Sequence, residues 1–131
     1  MPINIDAPQG LSPWNGEGGG SPRLRRYKAG TTTTIGVGDV VALAANGRIH
    51  RIATTTGSAA IVGVAATFIN MVAPNTVTAA DCWVYDDPDQ VFVVQDDGAA
   101  ATPAQASVGA TAVLVLGTPN TTTGRSIQEL D

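Results

Sequence analysis

The stretch VYDDPDQVFVVQDDG, residues 84–98, sets five carboxylates among Val, Tyr and Phe, with Asp81 just before it and no Lys or Arg from 81 to 98. Such a cluster has three chemical uses: a general acid paired with a general base, an oxygen cage for Ca²⁺, or a turn held in water. Asp86, Asp87 and Asp89 offer hard ligands, but the central Gly and distal Glu of an EF-hand do not follow at the required spacing, so only an irregular site stays open. Nothing fixes a carboxylate separation or an apolar pocket that would raise one pKa, as glycoside hydrolysis needs. The third use fits best. Pro88 removes a ladder donor and fixes φ, and the flanking Asp side chains bond nearby backbone N–H groups, so DDPDQ reads as a turn.

The other reactive residue types point the same way. His50 is the only histidine and lies between Ile49 and Arg51 in a strand-like run, where a solvated or cross-strand imidazole is expected and no nucleophile motif adjoins it. Cys82 is the single cysteine, which excludes an intrachain disulfide and leaves zinc too few ligands; it reads as a small, half-buried strand residue. The GVGD stretch ending at Asp39 leads into a strand, not a helix N-terminus, and reads as a turn. No catalytic, cofactor-binding or metal-binding residue is expected.

One run has binding potential. RLRRYK places Arg23, Leu24, Arg25, Arg26, Tyr27 and Lys28 together, in a chain of formal charge −4 whose acids dominate from Asp81 onward. Arg pairs bidentately with carboxylates or phosphates. Four cations are few for nucleic acid, and an acidic protein surface is the favoured target. Leu11 and Trp14, set among Pro and Gly, read as apolar anchors for the same partner.

The elements that position these residues are β-rich. The chain has 131 residues, 44% hydrophobic but only 5% aromatic, with 15 Gly and 8 Pro breaking every long helical run. One domain with a core of small side chains on closely spaced backbone follows. GDVVALAANGRIHRIA reads as a hairpin turning at Asn46-Gly47, and a two-residue loop would set Ala44 opposite Ile49, Leu43 opposite His50 and Val41 opposite Ile52. SAAIVGVAATF reads as a strand with a bulge or close approach at Gly63, VTAADCWVYDD as a strand centred on Trp83 and Tyr85, and VFVVQ as another. ATAVLVLG reads as a buried strand and GRSIQEL as a short final one. The expected fold is all-β, a compact sandwich or barrel over residues 31–131. Residues 1–30, with Pro2, Pro8, Pro13, Pro22 and GEGGGSP, show no periodic apolar pattern and read as an extended arm. MPINIDAPQG lacks a secretory n-region and h-region, and the longest apolar region is shorter than a membrane span, so a soluble, cytoplasmically made protein is expected.

The GDVV hairpin, the DCWVYDDPDQVFVVQDD segment and the Pro/Gly-rich arm together resemble the head decoration, or capsid cement, proteins of tailed bacteriophages. The pattern spans most of the chain from Gly36 to about Gln95, and VYDDPDQVF is its most specific part. The resemblance implies a small β-tulip-like protein without enzymatic activity. It further implies a homotrimer on the outer surface of the virion, bound to the major capsid protein through N-terminal arms, with neither nucleic acid nor membrane as partner. A phage fibre or tail component, a secreted carbohydrate-binding or hydrolytic β domain, and a nucleic-acid-binding arm remain the alternatives.

Overall fold

The computed structural model describes residues 8–14, 21–30, 34–53, 60–70, 80–97 and 105–131. Among these the chain is almost entirely β, with a single 3₁₀ turn at Gln105–Ser107. The eleven short strands are β1 Ser12–Pro13, β2 Leu24–Lys28, β3 Thr34–Ile35, β4 Val40–Leu43, β5 Ile49–Arg51, β6 Ala60–Ala65, β7 Ile69–Asn70, β8 Asp81–Tyr85, β9 Phe92–Val93, β10 Leu114–Val115 and β11 Glu129–Leu130. No helix among the described residues is long and apolar enough to cross a membrane.

Five strands form the central antiparallel sheet in the order β2-β8-β6-β4-β5. Its two edges approach each other at one end, where Ala29 bridges Ile49 and the Gly30 N–H donates to the Ile49 carbonyl at 2.9 Å. The sheet thus curls into a partly closed barrel. Ala29, Val41, Ile49, Ala65, Cys82 and Val84 line its interior, and Ile35 and Ile69 of the β3–β7 pair complete the core. Apart from the three Ile, these side chains are small, and the walls stand close. A Cβ on Gly63 would run into the backbone carbonyl of Tyr85, and opposite it the β4–β6 register slips between Val41 and Ala42, a bulge that bends the sheet. The close approach expected at Gly63 is therefore present, and β8, expected to centre on Trp83 and Tyr85, centres on Trp83 and ends at Tyr85.

The hairpin differs by one residue from its expected register. Val41 pairs with Arg51, Ala42 with His50 and Leu43 with Ile49. The Gly47 N–H donates to the Ala44 carbonyl at 3.0 Å and the Ala44 N–H to the Arg48 carbonyl at 2.8 Å, so the loop is Ala45-Asn46-Gly47, with Gly47 at positive φ, 75°. That is the three-residue loop, a turn followed by a left-handed Gly. The slip places Ile49 beside Val41 on the core side, and both are fully buried.

Three further expectations are corrected. Cys82 is fully buried, not half-buried, because it faces the barrel interior. ATAVLVLG forms only the two-residue β10, which pairs with β11 outside the central sheet, leaving Val113 exposed and Leu114 and Val115 half-buried. Finally, residues 21–30 are not free arm. Leu24–Lys28 runs antiparallel to β8, and Ala29 is in the core. The run looked structureless because an edge strand needs few apolar residues, and its partners lie more than fifty residues away. Residues 1–7 and 15–20 of the expected arm lie outside the described residues.

Candidate functional site: the charged edge strand

The acids of the opening stretch and the cations of RLRRYK meet across β2 and β8. The register Leu24 to Tyr85, Arg25 to Val84, Arg26 to Trp83, Tyr27 to Cys82 and Lys28 to Asp81 sorts the cations by face, since successive side chains alternate. On one face Arg23 Nε donates to Asp86 Oδ1 at 3.1 Å, Arg25 Nε lies 3.2 Å from Asp86 Oδ2, and the Tyr27 hydroxyl donates to Asp86 Oδ2 at 2.9 Å. On the other, Arg26 Nη1 lies 3.5 Å from Asp81 Oδ2 and Lys28 Nζ pairs with Asp81 Oδ1.

Asp86 is the hub, and its side chain is only 5% exposed. Burial works against its ionisation, but the hydrogen bonds from Tyr27 and Arg23 and the charges of Arg23 and Arg25 outweigh that, so its pKa lies below the usual carboxylate value. The Lys28 hydrogen bond, set against a smaller desolvation effect and aided by the charges of Lys28 and Arg26, lowers that of Asp81. Both acids are held ionised, which suits ion pairing and not proton donation near neutrality. The Tyr27 phenol is pushed up by burial and then by its bond to Asp86.

The remaining acids serve the turn. Asp87 Oδ1 accepts the Asp89 N–H at 3.0 Å and the Asp87 carbonyl accepts the Gln90 N–H at 3.1 Å, the arrangement expected of DDPDQ. With Asp86 engaged by three donors and Asp87 by its own turn, no group of three His, Cys, Asp or Glu among the described residues is placed to hold a metal ion. His50, half-buried, pairs with Ala42 across the hairpin. Burial pushes the Cys82 thiol up to about 11, which leaves it a poor nucleophile.

Leu11 and Trp14 separate. Leu11 is half-buried and its N–H donates to the Gly38 carbonyl at 2.9 Å, whereas Trp14 projects outward. Ser12 pairs with Val93 and Pro13 with Phe92, and the Trp14 N–H donates to the Val91 carbonyl at 2.9 Å. By alternation Trp14, Val91 and Val93 share one face, and they are 58%, 57% and 53% exposed. Phe92 turns the other way, edge-on to Tyr85 with ring centres 6.2 Å apart. An open groove of about 270 Å³ runs beside this pair, lined by Gln9, Gly10, Ser12 and residues 93–95, without an acid or base.

A second charged centre was not legible beforehand. Asp39 is fully buried in the GVGD turn, where its Oδ2 accepts the Gly36 N–H at 2.7 Å and lies 4.0 Å from Arg51 Nε. Arg51 also donates to the carbonyls of Thr34 at 3.2 Å and Gly117 at 2.7 Å, tying β3 and the segment after β10 to β5. The turn itself was expected; its burial is set by Ser126 and Gln128, distant in sequence and buried beside β4. No protein-family model, curated protein or solved structure matches the chain.

Proposed function

We propose that this protein is a structural decoration protein of a tailed-phage head, without enzymatic activity, which binds the major capsid protein on the outer surface as a homotrimer and braces the shell. The observation that carries the reading is the apolar face of Trp14, Val91 and Val93, built where the leading segment lies along β9. Three large apolar side chains on one exposed ribbon form a docking surface, and a Trp supplies much of the energy at such contacts. The all-β barrel offers a rigid mount for it, and the VYDDPDQVF resemblance supplies the partner class. Three copies on one trimer would act together, so modest contacts add to an avidity about 10² to 10⁴ above that of one.

The internal pairing of the RLRRYK cations with Asp81 and Asp86 moves the proposed capsid contact away from those residues and onto the Trp14 face. Co-sedimentation with expanded, DNA-free tailed-phage heads tests it. The wild-type chain should pellet with heads, and Trp14→Ala should weaken attachment by about tenfold or more, the loss of roughly 1.4 kcal/mol per site. Equal attachment of the variant, or no attachment of the wild type, overturns the reading.

A further inference from the structure

We propose that the outer edge of β2 accepts an extended acidic peptide segment as an additional strand. The inference stands independently of the capsid reading. Its first support is the backbone. The Ala29 N–H donates to the Ala80 carbonyl, on the β8 side, and the Gly30 N–H donates to Ile49, on the opposite side. Counting back by the two-residue alternation of an antiparallel ladder, Arg25 and Tyr27 turn their backbone groups toward β8, while Leu24, Arg26 and Lys28 turn theirs outward. The Ala29–Ile49 bridge engages the Lys28 carbonyl, and among the described residues no backbone group meets Leu24 or Arg26. Among the described residues the barrel closes over 28–30 against Ile49 and is open along the rest of β2.

The second support is charge. Among the described residues Arg23, Arg25, Arg26 and Lys28 share two carboxylates, Asp86 and Asp81, an excess of two positive charges within these pairs, with all four side chains 51–61% exposed. Arg25 reaches Asp86 through Nε and Arg26 reaches Asp81 through Nη1, and with five N–H donors each guanidinium keeps some for a second carboxylate. Cations along an edge strand guard against pairing with a like edge, because a second β2 laid antiparallel would set Arg and Lys against Arg and Lys. The same charges favour a strand bearing Asp or Glu, so the guard selects its partner by sign. On the face shared by Leu24 and Trp83, 42% and 46% exposed, such a strand would also cover apolar surface. Strand addition of this kind draws affinity from main-chain bonds and specificity from alternate side chains.

The test is residue-resolved amide exchange on the full chain with a short synthetic peptide of alternating Asp and Val. Exchange of the Leu24 and Arg26 amides should slow by about tenfold or more at saturating peptide, while the Arg25 and Tyr27 amides, already bonded to β8, change little. A peptide of alternating Lys and Val should leave all four unchanged. The proposal is overturned if the acidic peptide slows neither the Leu24 nor the Arg26 amide, if the Lys peptide slows them equally, or if duplex DNA slows them and the acidic peptide does not.

Discussion

Asp86 and Asp39 are both shielded from water, yet their environments push them in opposite directions, and stability should record the difference. For Asp86 burial is outweighed by Tyr27, Arg23 and Arg25, so its folded pKa is lowered. Its contribution is present above the unfolded carboxylate pKa, about 4, and is lost as pH falls through the lower folded value. For Asp39 burial dominates over Ser126, Gly36 and Arg51, so its folded pKa is raised. Between the unfolded and folded values the native state then holds more protons than the unfolded chain, and stability falls as pH rises through that window. Urea denaturation across about pH 3 to 8 separates the two. Asp39→Asn keeps an acceptor for the Gly36 N–H and should flatten the decline on the rising side; Asp86→Asn should instead remove stability gained above about pH 4. A wild-type decline undiminished in Asp39→Asn would mean that another group titrates there.

Among the strands, two glycines show why some of the fold could be read directly and some could not. Gly47 sits at positive φ with nothing within 4 Å of an added Cβ, so Gly47→Ala strains only the backbone and should cost about 1 to 2 kcal/mol. Gly63 has no positive φ, but its Cβ would collide with the Tyr85 backbone; Gly63→Ala should cost about 3 kcal/mol or more, or leave no folded protein. Chemical denaturation of the pair checks both, and equal losses would refute the distinction. Asn46-Gly47 signalled a hairpin and Gly63 a close approach because each is local chemistry. Loop length was not local. It was fixed by the gain from burying Ile49 beside Val41, which no property of the dipeptide reveals. DDPDQ was legible for the reason Gly47 was: its bonds close within the turn. The salt-bridged edge was half legible, since the acids and the cations each stood out, but their meeting required the β2–β8 register, a contact spanning about sixty residues.

At the scale of the whole molecule, the boundary between body and leading segment moves toward the N-terminus, and the consequence is measurable. Reading residues 1–30 as an arm predicts that all of it can be removed without harm. With β2 in the central sheet the molecule should tolerate one truncation and not the other. Removing residues 1–20 discards β1 and its bonds to Val91 and Gly38 but leaves the five-stranded sheet intact. Removing residues 1–28 strips the β8 edge, deletes the Tyr27 packing against the core, and takes away all three donors to Asp86. Uncovering one side of the core and losing these contacts takes a large share of a small domain's stability, which totals only about 5 to 15 kcal/mol. The shorter truncation should therefore keep a single cooperative thermal transition near that of the full chain, while the longer one should lower the midpoint steeply or abolish the transition. If both truncations melt alike, β2 adds nothing to the barrel, and the leading thirty residues act as one detachable piece after all.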